Sequence, residues 1–251
     1  MDRLFPKMIR PLKFQRLLWK ESIQAVKDSI KFSSFDSFRS FLEDNLPQSS
    51  SYTRKRYTRS ILKWFFQDKK LYSLPSLVWK HYQDESILRD VMRYEYLSKE
   101  PIISEFILEY LLPLKPGIKI STDYFKNFII KKFGEAKKDP INFLSLACRD
   151  LGFIKRNRNI PVVQGISEPK TAFLILIHHI FAPRQRTIPI KEIVEHPFWL
   201  LLGIRGQEKV RLILKEADAK GIIAKYIVAD QLEQITTKYS TRDFIENRFK
   251  L

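Results

Sequence analysis

The sequence predicts a mainly α-helical protein: a helical bundle over residues 1–165, then a region over 166–251 whose helices end in a small β-ribbon. Three observations predict it. Helix start and stop residues recur at short intervals along most of the chain. The composition suits a packed core, with 44% hydrophobic and 13% aromatic residues, more apolar surface than a disordered chain carries. β-rich runs, TIPI, IIAKYIV and EQITT, follow in the C-terminal region.

Taken in order, QRLLWKESIQAVKDSIKF places Leu17, Leu18, Ala25, Val26 and Ile30 near helical spacing. SFDSFRSFLEDNL stacks Phe35, Phe38, Phe41 and Leu42, and Pro47 follows its end. SSSYTRKRYTRSILKWFF supplies the next helix, running from a cap at Ser50 or Ser51 to about Phe66. After SLPSLVWKHYQ, Asp84 is placed to cap ESILRDVMRYEYL, and Pro101 sits at a first helical turn, before IISEFILEYLL. Ser121 or Thr122 caps DYFKNFIIKKF, which Gly134 stops. Asp139 and Pro140 open INFLSLACRDL, closed by Gly152. Short helices with tight connections make a bundle.

Beyond Gly152, FIKRNRNIPVVQGISEP reads as a basic connector, and a domain boundary is expected near residue 165. A helix from Glu168 to Ala182 follows, then a short strand at 187–190. The next helix lies around 191–202, with Pro197 near a break. After the GIRG turn comes the helix QEKVRLILKEADAKG, and then IIAKYIV and EQITT separated by the turn-like ADQL. Helix, strand, helix, turn, helix and ribbon is the element order of a winged helix-turn-helix. Such modules bind DNA or protein, and element order leaves both open.

Charge narrows the function. Forty-five Lys and Arg against 28 Asp and Glu give +17, an excess that attracts polyanions. Residues 1–83 hold 17 basic and 7 acidic side chains, and the remainder 28 and 21, so the N-terminal third is the denser footprint. The N-terminal MDRLFPKMIRPLKF lacks the apolar run of a signal peptide. The most apolar window, TAFLILIHHIFA, is too short to span a bilayer, so a soluble cytoplasmic protein without a membrane partner is expected.

Motifs for chemistry are lacking. His81, His178, His179 and His196 show no metal-ligand spacing, and adjacent residues on a helix point about 100° apart. No phosphate-binding glycine loop or nucleophile elbow occurs. Cys148, the single cysteine, lies in an apolar run and reads as a buried small hydrophobe. We expect no catalytic residue, no metal site and no cofactor.

The strongest binding candidate is the helix in SSSYTRKRYTRSILKWFF. Lys55, Arg56, Arg59 and Lys63 fall in one sector of about 100°, joined by Tyr52 if the helix starts early. Tyr57, Ile61, Trp64 and Phe65 fall nearly opposite, as a core face. Arg54 is a further nucleic-acid-binding candidate, of lower rank because it projects toward the apolar side unless the helix starts after it. The basic sector holds no acidic residue, whereas solvated helix faces tend to mix signs because Glu–Lys pairs stabilise them. Guanidinium forks suit phosphate oxygens. Secondary candidates are Lys155, Arg156 and Arg158 in IKRNRN, Arg184 and Arg186 in PRQR, and Arg211 with Lys215 on the helix before the ribbon. Glu208 and Glu216 on that helix weaken the last pair.

TRKRYTRSILKWFF leads to LYSLPSLVW, then ESILRDVMRY, ISEFILEYLL, TDYFKNFIIKKF and NFLSLACRDLGFIK. With these segments in order, residues of about 50 to 160 resemble BrxA, a helical component of BREX bacteriophage-exclusion systems with a NusB-like fold. The likeness is one of pattern and helix order, without an invariant catalytic motif. It implies a non-enzymatic nucleic-acid-binding accessory protein acting with a methyltransferase and ATPases. The expected partner is double-stranded DNA, held mainly through phosphates. The alternatives are a scaffold docking acidic subunits, or an RNA-binding protein.

Overall fold

The computed structural model describes residues 16–135, 138–158, 160–230 and 232–251. The N-terminal segment read above for a targeting signal lies outside the described residues, as do Asn159 of the basic connector and Gln231 of the last turn. The protein is mainly helical with small antiparallel sheets. It forms two compact units, one from Lys20–Tyr96 with Ile166–Leu251, the other from Leu97–Gly165 with residues 16–19.

The first part of the larger unit contains α1 (Trp19–Ser29), α2 (Phe35–Asn45), α3 (Ser51–Phe65), α4 (Leu74–Tyr82) and α5 (Glu85–Leu97). Local chemistry sets their ends. The Ser34 hydroxyl accepts the Ser37 N–H at the start of α2. Asp84 accepts the Ser86 N–H at 3.0 Å at the start of α5, satisfying a donor that helix geometry leaves open. Phe38 and Leu42 of α2 are buried, and the Phe38 ring lies 4.8 Å from that of Phe66.

The chain rejoins this unit with α9 (Lys170–Ile180), whose residues 171–178 are all buried. A helix apolar on every side belongs at a core centre. β3 (Thr187–Pro189), α10 (Ile190–Glu195), α11 (Phe198–Leu201), α12 (Gln207–Ala219), β4 (Lys225–Ala229), β5 (Leu232–Thr236) and α13 (Thr241–Glu246) complete it. The break between α10 and α11 falls at His196 and Pro197, where the missing proline N–H stops the ladder. The sheet order is β3-β5-β4, all antiparallel, with Ile188 opposite Ile235 and Tyr226 also opposite Ile235.

The smaller unit begins with α6 (Pro101–Phe106), which continues as a π-helical turn over Ile107–Leu111. Its aromatic core joins Phe106, Tyr110, Phe125 and Phe128 at centroid distances of 5.0 to 5.5 Å. Tyr124 donates its hydroxyl to the Tyr110 carbonyl at 2.8 Å. α7 (Thr122–Phe133) and α8 (Lys138–Asp150) follow. Gly134 ends α7 at φ 78°, a left-handed position that glycine takes without Cβ strain. Cys148 of α8 is buried, and burial pushes its thiol pKa up.

One sequence expectation needs correction here. The basic connector contains a hairpin, β1 (Ile154–Asn157) with β2 (Ile160–Val163). No helix among the described residues is long and apolar enough to cross a membrane.

Candidate nucleic-acid interface

α3 is fixed from one side. Ile61, Trp64 and Phe65 are buried, and Trp64 meets Tyr96 edge to face at 5.2 Å. Burying each such side chain contributes about 1.5–3 kcal/mol. Thr58 and Ser60 are buried at the two edges of that face, and the Ser60 hydroxyl donates to the Arg56 carbonyl at 3.1 Å. Ser50 stands at the N-cap in extended conformation, without a side-chain capping bond. Phe66 leaves the helical region, and a 3-10 turn over Gln67–Lys69 follows, with Asp68 and Lys69 both at φ 55°.

The opposite side is cationic. Lys55, Arg56, Arg59 and Lys63 are all exposed. Among the described residues no carboxylate pairs with Lys55, Arg56 or Arg59; the Arg56 guanidinium lies 5.2 Å over the Tyr57 ring. Tyr52 is 75% exposed in the same stripe. From Tyr52 through Arg56 and Arg59 to Lys63 the spacing is four, three and four residues, a line of about 16 Å along one helix face.

Arg54 does something else. Its Nε donates to the Glu43 carbonyl at 2.8 Å, and its Nη1 donates to the carbonyls of Gln48 and Ser49 at 2.9 Å each. Glu43 lies in the last turn of α2, where carbonyls lack helical partners and favour a cation. Arg54 therefore ties α3 to the end of α2.

The secondary candidates separate in the same way. Lys155, Arg156 and Arg158 are exposed on and beside β1. Arg184 is exposed before β3. Arg186 pairs loosely with Glu192 at 3.8 Å, and its backbone exchanges hydrogen bonds with Thr237 at 3.0 Å. Arg211 of α12 is committed internally: Nε donates to both Glu233 oxygens at 3.0 Å, and Nη1 donates to Glu208 at 3.2 Å. The Glu233 hydrogen bond holds the Arg211 pKa above its ordinary value. Lys215 lies 5.8 Å over the Tyr226 ring. Around these charges Leu212 is 63% and Val228 62% exposed.

None of the four histidines joins a ligand set, and among the described residues no three His, Cys, Asp or Glu side chains converge. His178 is buried, with Nδ1 2.8 Å from the Leu174 carbonyl and its ring stacked on Phe244 at 4.2 Å. Burial lowers its pKa to about 4, so it is neutral near pH 7. His196 accepts the Phe198 N–H at 3.1 Å.

Sequence reasoning passed over Lys119. It pairs with Val162 on the edge of β2 through an isolated antiparallel bridge, and the alternating IKI of residues 118–120 was the available signal. Comparison with family models, with curated proteins and with solved structures finds no match to this chain.

Proposed function

We propose that the chain is a non-enzymatic, double-stranded DNA-binding accessory protein that grips DNA mainly through phosphate contacts. The carrying observation is α3: an acid-free helix whose core side is buried and whose exposed side lines up Lys55, Arg56, Arg59 and Lys63. Like charges at helical spacing repel by a few tenths of a kcal/mol per pair, a cost that an anionic partner offsets. A rigid cationic line of this length suits a phosphate backbone, where contacts position the protein without reading sequence.

The resemblance to BrxA adds a setting, a BREX-type phage-defence complex with a methyltransferase and ATPases as partners in the cytoplasm, and favours a NusB-like reading of the helical bundle. In the C-terminal region, helix, strand, three helices (α10 and α11 separated by the break at Pro197, then α12) and hairpin, with sheet order β3-β5-β4, support a winged helix-turn-helix. Its α12 is a poor phosphate reader, because Arg211 is held by Glu233 and Glu208 while Leu212 and Val228 are exposed. Those observations favour protein contact for this element, with a subunit of the same complex.

Fluorescence anisotropy with a labelled duplex tests the DNA reading. The Arg56→Glu/Arg59→Glu variant is expected to keep its circular dichroism and Tm while losing most DNA affinity. Affinity equal to wild type in a folded double variant would remove α3 as the contact surface. Competition by structured RNA above that by duplex would move the reading to RNA.

A further inference from the structure

The smaller unit carries a second acid-free basic element. β1 and β2 pair in antiparallel register, with Lys155 opposite Val162 and Asn157 opposite Ile160. On the far side of β2 the chain at 117–120 adds on. Gly117 N–H donates to the Val163 carbonyl, Val163 N–H to the Ile118 carbonyl and Ile120 N–H to the Pro161 carbonyl, each at 2.9 Å. Lys119 is thereby opposite Val162.

Residues directly opposite in a ladder point to one face, and residues two apart share it. Lys119, Val162 and Lys155 therefore form one row across three strands, with Asn157 and Ile160 on the same face. The two lysines flank Val162 at two strand spacings, about 10 Å apart at Cα. Both are exposed, as is Arg158 at the turn. A depression of about 230 Å³ is lined by Lys119, Asn157, Arg158 and Ile160. Among the described residues of these strands and their turn there is no Asp or Glu.

The turn adds an independent point. Arg158 has φ 46°, a left-handed conformation that costs a non-glycine residue stability and that tight hairpin turns ordinarily give to Gly, Asn or Asp. Here the position carries a guanidinium, at the edge of the depression.

We infer that this hairpin face binds the phosphodiester backbone of a nucleic acid, with Lys119, Lys155 and Arg158 as the phosphate-contacting residues and Asn157 as a neutral hydrogen-bonding neighbour. The inference builds on the reading of α3 as a phosphate-binding face and extends it: each compact unit holds its own contact, and the chain is bivalent for nucleic acid. Two linked contacts raise overall affinity beyond either one without new chemistry.

The test uses the full chain and a labelled duplex, titrated over a series of salt concentrations at fixed pH. The Lys119→Ala/Lys155→Ala/Arg158→Ala variant is expected to bind more weakly, with the slope of log K against log salt shallower by about 2 to 3, since each lost contact removes about 0.9. Arg158→Gly is expected to keep or raise Tm, because glycine relaxes the turn, yet to lose about one contact from the slope. That variant guards against a triple variant that fails to fold. Millimolar inorganic phosphate at matched ionic strength should not displace the duplex; displacement would assign the depression to a free small anion and overturn the inference. So would a hairpin variant with wild-type affinity and slope. If the hairpin variants match wild type while Arg56→Glu/Arg59→Glu loses binding, the inference falls and the α3 reading stands. The reverse pattern removes α3 and leaves the hairpin.

Discussion

Replacing Arg54 by Ala separates holding the fold from holding a ligand. Arg54 sits among cations in TRKR, yet its guanidinium spans three backbone carbonyls between the end of α2 and the start of α3. Hydrogen bonds with a charged partner contribute about 1.5–3 kcal/mol each when sheltered. The bonds to Glu43 and Gln48 are part-buried and the one to Ser49 is exposed, so water replaces some of the loss. A total cost of about 2 kcal/mol is expected, within the range for loss of a capping interaction. Urea unfolding with tryptophan fluorescence reads it as a lower midpoint at unchanged m. DNA affinity of the folded protein, measured well below the midpoint, should stay within about twofold of wild type, since Lys55, Arg56, Arg59 and Lys63 remain on the outer stripe. An unchanged midpoint with a salt slope shallower by about 0.9 would refute this reasoning and make Arg54 a phosphate contact.

Two further outcomes follow from the core. His178 has a folded pKa of about 4 against 6.5 when unfolded. Its lowered value means that the unfolded chain takes up the proton first: stability is complete above about pH 6.5 and falls as pH drops toward 4. A shift of that size corresponds to about 3 kcal/mol. Denaturant midpoints from pH 7 to 4 should follow it, and His178→Leu should flatten the profile in that window; an equally steep profile in the variant would assign the acid loss to other groups. Trp64→Ala in α3 should cost about 3–5 kcal/mol by leaving a cavity beside Tyr96, readable by calorimetry, and a loss below about 1 kcal/mol would contradict the buried placement of that face.

What the sequence disclosed and what it hid divides by range of interaction. α3 was legible within a residue at each end, because a serine cap, an aromatic stripe and a one-sign basic stripe are all local to SSSYTRKRYTRSILKWFF. β3, the break at Pro197 and the presence of the last hairpin were legible too, where β-branched runs and turn residues stand close together, although β4 begins at Lys225, three residues into IIAKYIV. The hairpin of β1 and β2 was hidden by its charges and by Pro161, which has no N–H for a ladder; its carbonyl instead accepts Ile120 from a segment some forty residues earlier. Lys119 depends on that non-local pairing and could not be placed without it. Arg211 shows the same limit. Glu208 is visible on its own helix, whereas Glu233, which holds Nε through both carboxylate oxygens, comes from the facing strand.

The central claim is that α3 binds phosphates, and the salt dependence of duplex binding tests it most directly. Lys55, Arg56 and Arg59 on α3 predict a slope of log K against log salt of at least about −2.7 for the wild-type chain, steeper with the hairpin engaged. In Arg56→Glu/Arg59→Glu the slope should become shallower by about 2. Wild-type binding that is flat in salt, or a folded double variant with the wild-type slope, would contradict the account.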